Sequence, residues 1–517
     1  MTTLLAALPV LAVLGLMLGL RWPAARAGVV VALATAVLAV VAFDFGRGDS
    51  AFGLGDGLVG ILAEAGFITL TIVAIIGPAL GIHHLQSATG ATPMIEAALR
   101  RISPDPRVVA LLIAWFFALF MEGAAGFGTS VALAAPFLVA AGFTPVSAVV
   151  AAMIGHVVGV SFGAIGTPVA AQVAISGISG LDLARSTALF HVVLGWIMAL
   201  VVLRLITADR GDPTPWRIGL LAGVSFLVPY GLIASFVGPE LPTLGGAVLG
   251  TAVFILIVHR RTAAAEPGAE PDASDDPSNA TANAPTNAPT NAASVAIAAA
   301  PYLALIIVVL VTRLVAPIED ALRSVTLDWE LQSTFTGSVM PLYHPGLLLT
   351  AAFVIGAVVQ RARPAQVATA FVAATRQLAT VTVALVSMVT IARLMSQSGM
   401  TADLADAAAQ TGAAWPLISP IVGSLGTFVT GSATASNVLF TELQIDTAAA
   451  RELDVTTMLG AQGFGAAVGN AIAPHNIVAA AATVGLAGRE SEILRRTLPV
   501  TAVYLVLGGV LALVLTS

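Results

Sequence analysis

A single glutamate, Glu122, stands within an apolar stretch of the chain and is followed by a glycine-rich run that ends at Ser130. An ionised carboxylate inside a membrane costs several kcal/mol and usually persists because it has a function. Burial favours the neutral, protonated form of such a group, so Glu122 is a candidate for proton coupling. The alternative is a structural carboxylate that only accepts hydrogen bonds from backbone N–H groups at a helix break.

Four polar breaks interrupt the apolar stretches, at residues 123–130, 163–168, 430–437 and 469–476. Each of them contains glycine, and glycine allows a helix to break. A broken helix presents free N–H groups, and the helix dipole at that end attracts an anion. We therefore expect the four breaks to line one cavity at the membrane midplane and to bind a small carboxylate there.

The predicted substrate-binding residues lie in these breaks, with one arginine outside them. Hydroxyl and amide groups can donate to a carboxylate without a fixed charge, and arginine can pair with it through two N–H groups. The alternative for the arginine is a position at the membrane interface, and a lone histidine such as His156 is more often a hydrogen-bonded interior residue. The predicted set is Gly123, Gly126, Gly128, Thr129, Ser130, Gly166, Thr167, Thr430, Gly431, Ser432, Thr434, Ser436, Asn437, Asn470, His475 and Arg393.

Composition excludes several other kinds of site. The chain has no cysteine, which excludes disulfides and thiolate metal ligands. Its formal net charge of −6 leaves no nucleic-acid footprint. No nucleophile stands with a base and no metal-ligand spacing occurs, so neither an enzyme nor a metal or cofactor site is predicted.

The same composition indicates a membrane protein. Hydrophobic residues make up 58% of the chain and charged residues 10%, whereas a soluble chain carries about 25% charged residues. Several apolar runs approach the about 20 residues that cross a lipid bilayer. We predict an all-α, multi-pass protein of the cell (cytoplasmic) membrane, with about 12 full crossings plus re-entrant segments.

The chain contains an internal repeat. Phe120 and Gly123 match Phe428 and Gly431, and Ala164 matches Ala471, each about 308 residues later. Between the copies lies a stretch rich in Ala, Pro, Asn and Thr, whose composition cannot bury a core. The predicted division is 1–57 N-terminal membrane helices, 58–206 first repeat, 207–262 connecting membrane helices, 263–293 disordered linker, 294–364 connecting membrane helices and 365–517 second repeat.

Charge placement indicates that the two copies are inverted. Short cytoplasmic loops are enriched in arginine. The loop with Arg100 and Arg107 is therefore predicted inside, whereas its counterpart carries Asp403 and Asp406 without arginine and is predicted outside. The same rule places both termini outside and the linker in the cytoplasm. Inverted repeats whose broken helices meet at the midplane are typical of secondary transporters.

The chain resembles the lactate permease family of prokaryotic membrane transporters. The resemblance is carried by residues 122–128 (Glu-Gly-Ala-Ala-Gly-Phe-Gly), 162–166, 238–242, 430–432, 436–437 and 484–491. It implies uptake of lactate, with glycolate as a second substrate, by proton symport. The sequence departs from the family pattern at Ala433, where an acidic residue is common, and at residues 473–475, where Ser-Pro-Gln is common.

The predicted function is therefore secondary active import of lactate or a similar small 2-hydroxy carboxylate with protons, by alternating access. One alternative is a carrier for another small carboxylate with proton or sodium coupling. A second alternative, from a different class, is a proton-channel subunit of a larger complex, which would show chains of intramembrane charges. The sequence leaves open the stereochemistry of the substrate, the oligomeric state, and whether the motion is rocking or elevator-like.

Overall fold

The computed structural model describes residues 2–20, 22–47, 52–100, 102–103, 105–126, 129–211, 214–265, 292–486 and 489–517. The protein is almost entirely helical. Its N-terminal part holds α1 (Thr2–Leu14), which continues as a π-helical turn to Gly19, and α2 (Ala24–Ala42). Most of the predicted linker, residues 266–291, lies outside the described residues.

The helices of the first half follow in one run. They are α3 (Leu54–Thr89), α4 (Ala91–Arg100), α5 (Pro106–Leu111), α6 (Ala118–Ala124), α7 (Thr129–Ala140), α8 (Pro145–Gly155), α9 (Val157–Val160), α10 (Gly163–Ser176), α11 (Gly180–Leu194) and α12 (Trp196–Arg210). A π-helical segment, Leu112–Phe117, joins α5 to α6.

Connecting elements and the second half complete the chain. The connecting elements are α13 (Trp216–Phe236), α14 (Pro242–Ala265), α15 (Ala292–Ala298), α16 (Ala300–Leu314), α17 (Ala316–Arg323), β1 (Leu327–Leu331), β2 (Phe335–Val339) and α18 (Pro345–Val359). The second half contains α19 (Pro364–Gln397), α20 (Met400–Ala409), α21 (Trp415–Thr430), α22 (Ala433–Ala450), α23 (Val455–Gly469), α24 (Pro474–Thr483) and α25 (Glu490–Thr516).

Both halves run through the same order of elements. A long helix (α3 or α19) leads to a short helix (α4 or α20), then to a helical hairpin, a broken helix and a further long segment. This shared order is what an internal repeat predicts. The boundaries of the repeats and their inversion stay predictions.

Each hairpin folds back at one of the predicted breaks. In the second half, the Ser436 hydroxyl donates to the Gly423 carbonyl over 2.7 Å, so α22 packs back against α21. In the first half, the rings of Phe117 and Phe137 lie 5.4 Å apart on either side of the turn between α6 and α7. Two helices that return on each other in this way form a compact tip, and the tip can lie at membrane depth only where protein covers its polar backbone.

The other two breaks interrupt helices that continue beyond them. Ala164, Ile165 and Gly166 have φ of 42°, 58° and 76°, and the helices before and after them are bent by 45°. In the second half, a 3-10 turn at Asn470–Ile472 is followed by extended backbone at Ala473. Pro474 comes next, and the residue before a proline is disfavoured in a helix. The sequence prediction of broken helices is thus confirmed.

Eight helices of the described residues are long and apolar enough to cross a membrane, and up to eleven spans result if each bent pair is one span. Three shorter apolar helices accompany them. Large apolar side chains on the outside, such as Leu33 and Leu70, are 66% and 65% exposed, as expected where lipid is the solvent. The fold prediction of a multi-pass helical protein is confirmed, with a small addition. The antiparallel pair β1–β2 lies between α17 and α18 and buries Phe335 against Gly60 of α3.

Candidate functional site

All four breaks contribute to one cavity inside the protein. Among the predicted site residues, Glu122, Gly126, Gly431, Ser432, Thr434 and Asn470 line it, and Val160, Gly163, Ala164, Pro168 and Ala433 complete the lining. Its volume is about 30 Å³, which is room for about one water molecule. The cavity joins both halves of the chain, as the internal repeat predicts.

Glu122 is the one ionisable side chain among the described residues of the lining. It is 3% exposed and accepts a hydrogen bond of 2.7 Å from the Ser130 hydroxyl on the other arm of the first hairpin. The carboxylate reaches into the space beside Gly163, where any side chain would collide with it. The first hairpin and the first broken helix therefore hold the carboxyl group between them.

The second hairpin turns between α21 and α22, and the start of α22 faces the cavity. Gly431 takes the left-handed conformation, with φ of 71°, which ends α21 and turns the chain. Ser432 then caps α22 by accepting from the Ala435 N–H over 3.3 Å. Because Ser432, Ala433 and Thr434 line the cavity, the positive end of the α22 dipole lies beside it. This arrangement suits an anionic ligand.

Several predicted site residues instead hold the breaks in place. A Cβ at Gly123 would meet the backbone of Leu244 in α14 at 2.6 Å, so this glycine permits close packing. A Cβ at Gly166 would meet the Pro239 carbonyl oxygen. The Thr167 hydroxyl donates to the carbonyl of Ala164 and thereby closes the first broken helix on itself.

The hydroxyl and amide residues further along the second hairpin also have structural partners. Thr430 donates to the Gly426 carbonyl over 2.8 Å within its own helix. Ser436 bonds across the hairpin, and Asn437 donates to the Pro168 carbonyl over 3.0 Å, which ties the hairpin to the first broken helix. Ser436 and Asn437 are 0% exposed and do not line the cavity.

Arg393 lies in a separate, largely buried cluster, which we call the arginine triad: Glu64, Arg393 and Glu442. Arg393 Nε donates to Glu64 Oε2 over 2.7 Å, and Arg393 Nη1 donates to Glu442 Oε1. The second oxygen of Glu64 accepts from the Thr336 N–H of β2 over 3.2 Å. The structure thus places Arg393 with two glutamates, outside the cavity that Glu122 lines.

Three predicted substrate-binding residues cannot be placed relative to the cavity. Gly128 lies outside the described residues, as do the side chains of Thr129 and His475. Their predicted roles stay predictions.

Two residues of the site escaped selection from sequence. Gly163 makes room for the Glu122 carboxylate, and His156 Nε2 lies 2.8 Å from Asn470 Oδ1. The repeat itself carried a signal for Gly163, since Asn470 stands about 307 residues later at the matching position. No comparable signal marked His156, which looks like any lone histidine in an apolar helix.

The chain is similar over its whole length to known permeases. The family described as L-lactate permease matches residues 2–517. The L-lactate permease of Streptococcus iniae is 30% identical over 408 residues, covering 77% of this chain and 82% of that protein. The glycolate permease GlcA of Escherichia coli strain K12 is 26% identical over 543 residues, covering 99% of this chain and 95% of that protein.

The fold also has a counterpart among solved structures. The structure of Neisseria gonorrhoeae MtrF, which represents a class of antimetabolite efflux pumps, is similar with a TM-score of 0.50 and 15% sequence identity. The match covers 96% of this chain and 95% of that chain. At this identity the likeness concerns the fold alone.

Proposed function

Because this chain belongs to the L-lactate permease family, we propose that it imports lactate or glycolate together with a proton. Members of a permease family are transporters, so the chain is a transporter and not an enzyme. With its several apolar spans it is a multi-pass protein of the cell membrane.

The position of Glu122 supports proton-coupled uptake. Its carboxyl group lies in a cavity built by all four breaks, beside the start of α22. A buried ionisable group inside a membrane protein that faces such a cavity marks a pathway for ions or substrates. Other buried carboxylates of the chain form ion pairs, as Glu64 does with Arg393.

The charges in the cavity explain how binding of the proton and binding of the substrate are coupled. An ionised Glu122 repels the carboxylate of a substrate at short range, and this repulsion is strong where water is excluded. A proton on Glu122 removes the repulsion, so proton and substrate bind more tightly together than either binds alone. The start of α22, with Ser432 and Thr434, then holds the substrate carboxylate.

Transport requires that the cavity change. A lactate ion is several times larger than the water molecule that the present volume admits. The cavity must therefore widen toward one side of the membrane to load substrate and toward the other side to release it. Movement of one half of the protein against the other around a fixed site would provide this alternation.

Uptake into proteoliposomes tests this function. Labelled L-lactate, D-lactate and glycolate are offered with an inward proton gradient, with an inward sodium gradient at equal pH, and with neither; liposomes without protein correct for leakage of the undissociated acids. We expect accumulation of L-lactate or glycolate under the proton gradient, abolished by a protonophore. Accumulation under the sodium gradient alone would overturn proton coupling, and no uptake of any of the three would overturn the substrate class.

A further inference from the structure

Two apolar side chains form a part of the cavity lining that we call the apolar wall. They are Val160 of α9 and Ala433 of α22, which are 2% and 4% exposed. Both pack in one cluster with Ala466 and Ala467 of α23, which are 0% exposed and do not line the cavity. The apolar wall therefore joins the two halves of the chain, and a helix of the second half lies behind it.

The apolar wall lies next to the place where the substrate carboxylate is proposed to bind. Ala433 stands between Ser432 and Thr434 at the start of α22, and all three line the cavity. In a carboxylic acid, C2 is the carbon bonded directly to the carboxylate. A substituent on C2 of a carboxylate held at this helix start is consequently within reach of the Ala433 methyl group and of Val160, which packs in the same cluster. A polar substituent would lose its hydrogen bonds with water at this surface, so the surface favours an apolar one.

The helix behind the apolar wall has no room to retreat. A Cβ added at Gly465 of α23 would meet the Pro420 carbonyl oxygen of α21, and a Cβ added at Gly469 would meet the Ser424 carbonyl oxygen. The backbones of α23 and α21 are therefore in direct contact, and a close-packed interior does not yield by even one methylene without cost. When the cavity widens to admit substrate, it does not widen toward α23.

We propose that Val160 and Ala433 are the specificity-determining residues of the cavity, which receive the substituent on C2 of the substrate and limit it to hydrogen or a methyl group. This inference rests on the proposed function and deepens it, because it concerns the same cavity. It defines the substrates as 2-hydroxy carboxylates no larger than lactate, and it makes lactate bind more tightly than glycolate.

The size of the substituent sets the expected order of affinities. Glycolate has only hydrogen at this position, and burial of the lactate methyl group should make the KM for lactate about fourfold lower than the KM for glycolate. The ethyl group of 2-hydroxybutyrate adds one methylene that the apolar wall has no room for. An apolar pocket discriminates against one such methylene by about tenfold to two hundredfold. Lactate should therefore have the lowest KM of the three acids.

Two substitutions change the apolar wall in opposite directions. Val160→Ala removes both methyl groups of the valine and makes room for an ethyl group, whereas Ala433→Val fills the space that the lactate methyl group needs. Val158→Ala is the matched control, because Val158 belongs to the same helix and is 0% exposed but does not line the cavity. The readout is the KM of counterflow for labelled glycolate, L-lactate and L-2-hydroxybutyrate. A ratio of two KM values does not depend on the amount of folded protein, so a loss of stability cannot imitate a change of specificity.

Val160→Ala should lower the ratio of the KM for 2-hydroxybutyrate to the KM for glycolate about tenfold, and Ala433→Val should raise the ratio of the KM for lactate to the KM for glycolate about tenfold. Val158→Ala should keep both ratios. An unchanged ratio in either wall variant, or the same shift in Val158→Ala as in Val160→Ala, would overturn the inference and leave the proposed function standing.

Wild-type protein and Val160→Ala decide the matter if Ala433→Val does not fold. Equal wild-type KM values for lactate and 2-hydroxybutyrate would overturn the size limit. If the wild type counterflows neither lactate nor glycolate, the proposed function is overturned and this inference with it.

Discussion

Among single residues, Glu122 and Asn470 are the most informative, because both line the same cavity. Glu122 could be selected from sequence because a charge inside an apolar stretch is costly and rarely incidental. Asn470 could be selected because it stands in a predicted break. The contact of its amide with His156 could not be predicted, since His156 lies more than three hundred residues earlier in the chain.

A first prediction concerns Ser130, whose hydroxyl donates to Glu122 over 2.7 Å. Ser130→Ala removes this donor and leaves the carboxylate without its hydrogen bond. Loss of such a bond costs about 1.4 kcal/mol, so proton-driven uptake should fall about tenfold. Ser130→Thr keeps a hydroxyl and is the matched control, with uptake near the wild-type rate. Equal uptake by the alanine and threonine variants would show that the hydroxyl has no part in coupling.

At the scale of elements, glycine and proline in apolar runs predicted the four breaks correctly. They did not predict which side chains of each break would face the cavity. Ser432 and Thr434 lie at the start of α22 and line it, whereas Ser436, one helical turn later, bonds to Gly423 of the neighbouring arm. Ser432 and Ser436 are four residues apart and share one helix face, so the distance of each hydroxyl from the start of α22 decides its role, and sequence composition alone does not show how far the cavity reaches along the helix.

A second prediction tests why the first broken helix needs Gly166. Its φ is 76°, and an added Cβ would meet the Pro239 carbonyl oxygen. Gly177 has a similar φ of 69°, but no described atom lies within 4 Å of an added Cβ. Gly177→Ala should cost about 1 kcal/mol of stability for backbone strain, and Gly166→Ala about 1 to 3 kcal/mol more for the collision.

The thermal unfolding midpoint of purified protein in detergent measures this difference. Equal midpoints for the two alanine variants would contradict the close approach of the Pro239 loop to the broken helix.

The arginine triad shows what sequence could not reveal about elements. Arg393 of α19 bonds to Glu64 of α3 and Glu442 of α22, partners 329 and 49 residues away. From sequence alone it was a candidate for the substrate carboxylate. Its two carboxylate partners belong to the protein itself, and they join the long helices α3 and α19 to the second hairpin.

A third prediction follows from that cluster. Arg393→Leu leaves the buried carboxylate of Glu64 and the largely buried one of Glu442 without their cation, which should cost about 3 to 5 kcal/mol of stability. The triple variant Glu64→Gln, Arg393→Leu, Glu442→Gln should recover most of this loss, because no charge then remains buried. Arg489→Leu is the control at an exposed ion pair and should change stability by less than about 1 kcal/mol. A single Arg393→Leu variant as stable as Arg489→Leu would contradict the triad.

At the scale of the whole molecule, composition was sufficient to predict a helical membrane protein, because apolar runs of spanning length have few other uses. The β1–β2 pair escaped prediction, since its stability comes from packing of Phe335 and its neighbours onto α3. Orientation in the membrane depends on arginine placement, which remains a sequence argument. It places the acidic segment around α17 outside and the linker at residues 263–293 in the cytoplasm.

A fourth prediction tests this orientation directly. The chain has no cysteine, so single cysteines can be introduced without background. Ser324→Cys, at an exposed position after α17, should react with a membrane-impermeant maleimide in intact cells. Ser274→Cys in the linker should react only after permeabilisation. The reverse labelling pattern would show that the protein is inserted the other way round.

We expect Glu122 to carry the proton that drives substrate uptake, and a comparison of two transport modes shows whether it does. Glu122→Gln and the surface control Glu492→Gln are reconstituted beside wild type, and labelled L-lactate or glycolate is followed as gradient-driven accumulation and as counterflow without a gradient. We predict that Glu122→Gln loses accumulation and keeps counterflow, because glutamine mimics the protonated carboxyl group, while Glu492→Gln keeps both. Wild-type accumulation by Glu122→Gln would show that Glu122 does not carry the proton.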